Sequence, residues 1–246
     1  MRPSRLLHRR ASVGAEPGGW LTIPAGDPGV KPAAYLPLYE ELLGGLRDQR
    51  FNLLELGVWK GDSLVMWRDA FQQATIVGVD LSPPELDLGP RVHVVRGDQA
   101  DGAFLDRLRI DHAPGGFDVI IDDASHVGQL SARSLRALYR QHLRPGGLYV
   151  IEDWGTGYMG NWPDGAAPAG VIGAEQLDEA GPVEPNRMPS HDSGMVGLVK
   201  RLVDHTAAGT LRAHQPEWIA EALPIEWMQV YDGIVVLKKA MGTPCR

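Results

Sequence analysis

Two stretches of the chain, FDVIIDDASH (117–126) and GLYVIEDW (147–154), run from apolar residues into acids and offer Asp122, Asp123, His126, Glu152 and Asp153. If both are strands, these polar groups stand at the strands' carboxyl ends. Side chains alternate along a strand, so Asp122 and Asp123 point to opposite sides and only one of them faces a shared site. Asp123, Glu152 and Asp153 could then converge. Three carboxylates brought together repel and raise one another's pKa unless a cation sits among them. An all-oxygen set favours Mg²⁺ or Mn²⁺ over Zn²⁺. His126 follows Asp123 by three residues, close enough to stand over the same site if the chain turns into a helix there.

A second constellation lies in FNLLELGVWKGDSLVMW (51–67), an apolar run that breaks at Gly57 and resumes as a helix after Gly61. A glycine turn between strand and helix is where doubly wound sheets hold a nucleotide-like ligand. The gap filled by Val58, Trp59 and Lys60 departs from the G-x-G-x-x-G spacing that a dinucleotide pyrophosphate needs, so a cofactor without pyrophosphate is favoured. Asp80 closes the next run, TIVGVD, where a carboxylate can accept hydrogen bonds from ribose hydroxyls. Asp98, in RGDQAD, stands where it could reach an adenine amino group.

Around these residues short apolar runs alternate with helical stretches. NLLEL, TIVGVD, RVHVVRG, FDVIID and GLYVIED read as strands; SLVMWRDAFQQ, GAFLDRLRI and QLSARSLRALYRQHL read as helices, after a leading helix from Tyr35. Such alternation means βαβ units and a parallel sheet covered on both faces. Near the C-terminus Asp232-Gly233 separates two β-rich runs, which predicts an antiparallel hairpin. Residues 154 to about 192, rich in Gly and Pro and carrying Trp154, Tyr158 and Trp162, read as a lid. Those aromatics either line an acceptor pocket or hold the lid shut. Trp59 and Lys60 could flank the cofactor. The basic stretch 1–34 lacks the apolar core of an export signal and reads as a flexible or partner-contacting arm, leaving 35–246 as one domain.

Composition narrows the classes further. The chain has 246 residues, 43% apolar and 22% charged, with a formal charge of -7. That length suits one α/β domain with a sizeable core. The negative charge argues against nucleic acid as the main partner, and no run is long and apolar enough for a membrane span. A single cysteine, Cys245, excludes an intramolecular disulfide and a thiolate metal cage, and a cytoplasmic setting fits.

With Glu55, Gly57, Gly61, Asp80 and Asp98 in this order, the chain resembles the class I S-adenosylmethionine (SAM)-dependent methyltransferases over roughly residues 35 to 240. The resemblance implies a Rossmann-like, mostly parallel seven-stranded sheet with an antiparallel C-terminal hairpin. It also implies SAM held by Glu55, Gly57, Gly61, Ser63, Asp80, Asp98 and Asp122, although Asp122 reads equally as a helix cap. IDDASH, RPGGLYVIEDW and GDQAD are similar, more narrowly, to the metal-dependent O-methyltransferases that modify sugars of macrolide and tetracenomycin-type natural products. That likeness implies Mg²⁺ on Asp123, Glu152 and Asp153, with His126 as general base. The chemistry agrees, because an aliphatic hydroxyl is too weak an acid to attack a methyl sulfonium unless a metal acidifies it and a base takes its proton.

The expected acceptor is a small molecule, a glycosylated natural product, and the protein is expected to act as a homo-oligomer. Two other readings stay open: a catechol or phenol acceptor, and a SAM-binding protein without transferase activity. His191 could approach the acceptor or cap a helix, whereas His93, His112, His142 and His205 read as surface or hydrogen-bonded residues.

Overall fold

The computed structural model describes residues 19–22, 31–166, 192–211 and 222–242. Seven strands form one sheet: β1 (Asn52–Leu56), β2 (Thr75–Asp80), β3 (Val92–Arg96), β4 (Phe117–Asp122), β5 (Leu143–Glu152), β6 (Ile225–Val230) and β7 (Ile234–Lys239). Their spatial order is β3-β2-β1-β4-β5-β7-β6. The first five pair in parallel, and β7 enters antiparallel between β5 and β6. This is the mostly parallel sheet with a C-terminal hairpin that the alternating pattern anticipates. β5 begins at Leu143, ahead of the expected start at Gly147, because Phe117 pairs with Leu143 before a register shift brings Val119 opposite Leu148.

Along β1 the side chains alternate, and both sides are apolar because both faces are covered. Leu53 joins a core with Tyr39, Leu43, Leu64 and Trp67, from the helices α1 (Leu36–Leu43) and α2 (Asp62–Ala70). Leu54 and Leu56 join the opposite core with Leu105, Leu138 and Leu198 from α3 (Gly102–His112), α4 (Gly128–Gln141) and α5 (Gly194–Thr206). A short α6 (Ala208–Leu211) follows α5. Among the described residues no helix is long and apolar enough to cross a membrane.

The sheet places the chemistry at one edge. The chain runs outward from β1 through β2 to β3, then returns to build β4 and β5 on the other flank. Strand order therefore reverses between β1 and β4, and a crevice opens at their carboxyl ends. At the same edge, beside the end of β5, Gly233 takes φ +78° in the β6–β7 turn, and an added Cβ would lie 1.9 Å from the hydroxyl of Tyr35. The hairpin glycine thus serves two needs at once, the turn and the passage of a tyrosine toward the site.

Candidate active site

The glycine turn is held from two sides. Gly57 takes φ +93°, and a Cβ there would stand 2.1 Å from the carbonyl oxygen of Asp123, so the turn after β1 lies against the end of β4 without room for a side chain. Asp80, at the end of β2, accepts from the backbone N–H groups of Val58 (3.0 Å) and Trp59 (3.1 Å) through one oxygen and from Ser82 (2.8 Å) through the other. Burial alone would raise the Asp80 pKa, but these three backbone hydrogen bonds outweigh it and hold the carboxyl below its ordinary range. Asp80 therefore shapes the turn with the same oxygens expected to meet a ribose, and the second lone pair of Oδ1 is the acceptor left for a ligand.

Gly57, Gly61, Ser63, Asp80 and Asp98 all line a cleft of about 950 Å³, together with Trp59 and Lys60. Glu55 stands behind its wall, wholly buried, accepting from the Ser63 hydroxyl at 2.8 Å. Asp122 departs from expectation. It is buried on the opposite side of β4, does not line the cleft and does not cap α4, whose N-cap is Val127. Its carboxylate accepts from Gln99 (3.0 Å) and Tyr149 (3.3 Å), and burial pushes its pKa up to about 6 against those bonds. Strand alternation, which turns Asp123 to the site, is what turns Asp122 away.

At the other end of the cleft Asp123, Glu152, Asp153 and His126 come together. The imidazole Nε2 of His126 lies 3.8 Å from Asp123 Oδ1 and 3.9 Å from Asp153 Oδ2. One ligand atom from each of Asp123, His126 and Asp153 falls within 4.8 Å of the others, a grouping that suits one metal ion. His126 and Asp153 both take left-handed backbone conformations, φ +49° and +55°. Non-glycine residues adopt these at a cost of roughly 1–3 kcal/mol, and such strain gathers at functional sites. The ring of Trp162 stands 5.8 Å from that of His126 and also lines the cleft. Trp154 instead donates its indole N–H to the carbonyl of Tyr231 and packs edge-on against Tyr158. One of the three lid aromatics thus faces the cleft, while the other two hold the segment to the hairpin side. His191 lies outside the described residues.

Glu152 behaves differently from its neighbours. Its carboxylate accepts from the ammonium of Lys31 at 2.8 Å and from the hydroxyl of Tyr39. Lys31 also donates to Asp123 Oδ2 at 2.9 Å and stands 3.1 Å from Glu55 Oε1, while Tyr35 donates to Asp153 Oδ1 at 2.7 Å. Burial disfavours the Lys31 ammonium, but the surrounding carboxylates hold its proton far more firmly than usual. Burial and the neighbouring Glu152 push Asp123 upward too, well above the usual carboxylate range, although the same ammonium opposes the rise. The stretch read as an arm over 1–34 therefore contributes a residue to the site. Lys31 stands before Pro32, ahead of the first helical turn at Ala33, so no helical spacing marked it in the sequence. Gln99 was also missed inside GDQAD. It accepts from the N–H of Ser125 at 3.1 Å while donating to Asp122 and Ser134, and so steadies the loop that carries His126. The other four histidines among the described residues are engaged: His142 with Asp106 at 2.7 Å, His205 accepting from the Leu223 N–H, and His93 ring to ring with His112.

Residues 54–154 match the family model described as a methyltransferase domain. The strand order and this match together give the chain a methyltransferase domain over residues 54–154, set on a Rossmann-like sheet. Among curated relatives it is 36% identical over 183 residues to the mycinamicin VI 2''-O-methyltransferase of Micromonospora griseorubida, a stretch covering 67% of this chain and 45% of that one. It is 34% identical over 217 residues to the 8-demethyl-8-(2-methoxy-alpha-L-rhamnosyl)-tetracenomycin-C 3'-O-methyltransferase of Streptomyces olivaceus, covering 85% and 50% of the two chains. Among solved structures, the MycE methyltransferase of the mycinamycin biosynthetic pathway, in complex with Mg, SAH and mycinamycin VI, superposes with a TM-score of 0.63 at 30% identity over 86% of this chain and 52% of that one. The chain spans about half the length of the curated relatives it matches.

Proposed function

We propose that this protein transfers a methyl group from SAM to a hydroxyl of a glycosylated natural product, with a divalent cation, Mg²⁺ or Mn²⁺, in the site. The observation that carries the reading is the meeting, in one cleft, of the glycine turn ordered by Asp80 with the group Asp123, His126 and Asp153. The relatives named for sugar O-methylation and the neighbour solved with Mg and SAH support it.

SAM would lie over Gly57 and Gly61, which line the cleft, with Ser63, Asp80 and Asp98 within reach. The acids Asp123, Glu152 and Asp153 are the candidate set for the cation, and two of them turn an oxygen toward His126. A divalent ion there would supply Lewis acidity toward the acceptor hydroxyl. His126 takes the hydroxyl proton on Nε2. Its role as base rather than ligand follows from the chemistry of the set, because Mg²⁺ prefers oxygen donors. Trp162, tilted beside the imidazole, offers the flat apolar face that a sugar ring packs against and helps exclude water. A small-molecule acceptor in a cytoplasmic setting fits the acidic, single-cysteine chain, and a homo-oligomer is part of this reading.

The test is a methyl-transfer assay with SAM against glycosylated acceptors and their aglycones. Transfer to the glycosylated compounds should stop with EDTA and return with Mg²⁺. Methylation of the aglycones alone would favour a phenolic acceptor. Full turnover in EDTA, with metal absence confirmed by elemental analysis, would remove the cation from the mechanism.

A further inference from the structure

Glu152 and Asp153 are consecutive, yet both line the cleft. Neighbouring side chains of an extended strand point to opposite faces, so an Asp153 that simply continued β5 would turn away from Glu152. Its left-handed backbone, φ +55°, breaks that alternation. The conformation is costly for a residue other than glycine and persists only where the surroundings hold it. Here the Asp153 carbonyl accepts from the Thr156 N–H at 3.0 Å and from the Thr156 hydroxyl at 2.7 Å. Trp154, the next residue, is tied by its indole N–H to the carbonyl of Tyr231 in the β6–β7 turn. The Asp153 side chain is tethered separately, by Tyr35, which donates to Oδ1 at 2.7 Å while Oδ2 faces His126. Tyr35 is itself fixed: it ends the helical turn Ala33–Tyr35, its N–H donates to the Pro32 carbonyl at 2.8 Å and its ring is buried.

We infer that Tyr35 is a positioning residue, whose hydroxyl holds Asp153 in the orientation that presents Oδ2 to the proposed cation. This rests on the proposal that a metal binds here. A buried phenol needs an acceptor in any case, but the acceptor of this one has its second oxygen on the site. The tether matters most at Asp153 because packing constrains that side chain least. It is 39% exposed, against 19% for Asp123 and 1% for Glu152. An exposed carboxylate without a tether would sample several rotamers and would have to be ordered when the ion arrives, at a cost in affinity. Hydrogen-bonded outer partners fix metal-ligating carboxylates in this way elsewhere. The hairpin takes part from both sides, since it anchors Trp154 through Tyr231 and leaves the Tyr35 hydroxyl its place through the missing side chain of Gly233. A strand pair far along the chain thus supports an acid that ends β5.

Calorimetric titration with Mg²⁺ and, separately, with SAM tests the inference. Tyr35→Phe keeps the buried ring and removes only the hydroxyl. It should weaken Mg²⁺ binding at least about tenfold, the size of effect seen when an outer partner of a metal ligand is lost, and leave SAM affinity within about threefold. Tyr231→Phe is the control, because it removes a hydroxyl of the same hairpin that bonds Gln229 rather than an acid of the cleft. Both of its affinities should stay within about threefold of the wild type. A merely structural tyrosine would weaken SAM and Mg²⁺ binding together or neither. Either result in a folded Tyr35→Phe protein would overturn the inference, as would an equal loss of Mg²⁺ affinity in Tyr231→Phe. Asp153→Asn separates this from the metal reading itself. A wild type that binds Mg²⁺ and loses it in Asp153→Asn keeps that reading whichever way Tyr35→Phe falls; a wild type that takes up no Mg²⁺ overturns both.

Discussion

His126 sits almost equidistant from two carboxylate oxygens, in a backbone conformation that histidine seldom adopts. That cost is sustained because Gln99 holds the N–H of Ser125 and the Ser125 hydroxyl accepts from the N–H of Val127, pinning the chain on both sides of the ring. If the imidazole removes the acceptor proton, His126→Ala should lower kcat by roughly 10² to 10⁴-fold, the usual contribution of a positioned base. SAM affinity should stay within about threefold, since the ring stands at the cation end of the cleft rather than on the glycine turn, and small surface changes there are worth about 0.5 kcal/mol. Single-turnover methyl transfer alongside calorimetric SAM titration checks both. A folded variant with near-normal kcat would remove His126 from the chemistry.

The element that joins the two halves of the cleft is the turn after β1. Its glycine at 57 allows the backbone to lie against Asp123, so the turn proposed for the cofactor and the acid proposed for the metal are positioned by the same close approach. Gly57→Ala would force both a positive φ on alanine and a Cβ into the Asp123 carbonyl. The expected result is a loss of about 2–4 kcal/mol in unfolding free energy, from strain and overpacking together, with weaker SAM binding. Gly45→Ala is the control: nothing lies within 4 Å of the added Cβ, and stability should move by less than about 0.5 kcal/mol. Urea denaturation and SAM titration of the pair would show whether the turn is as tightly built as its geometry indicates. Equal stability of the two variants would mean that the β1–β4 contact relaxes.

Across the whole molecule, Asp122 ties the sheet to the helices over it and imposes a dependence on pH. In the folded protein its proton is held up to about pH 6, against an ordinary value of 3.8. Between those values the unfolded chain binds fewer protons, so stability falls as pH rises through the window, being fully present below the lower value and lost above the upper one. The shift corresponds to up to about 3 kcal/mol. Asp122→Asn keeps the shape and abolishes the titration. Compared by urea unfolding at pH 4 and pH 7, the variant should gain on the wild type by an amount of that order as pH rises; a constant difference between the two proteins would show that the buried carboxyl does not titrate in this range.

Much of this architecture was legible in local pattern. Apolar runs with helices between them determined the parallel sheet, Asp232-Gly233 determined the terminal hairpin, and acids at the ends of strands placed Asp80, Asp98, Asp123 and Asp153 at a common edge. Strand and helix periodicities act over a few residues, and parallel strands joined by helices must point their carboxyl ends the same way, so sequence alone was sufficient there. It was not sufficient for how the acids are used. Asp122 and Asp123 are adjacent and chemically alike, yet one is buried under α4 and the other opens on the cleft. Lys31 stands 92 residues from Asp123 and 121 from Glu152, in a stretch whose composition suggested an arm. Only the folded chain brings that ammonium among the carboxylates, because an ion pair depends on distance through space, and no periodicity of the chain encodes which distant charge arrives.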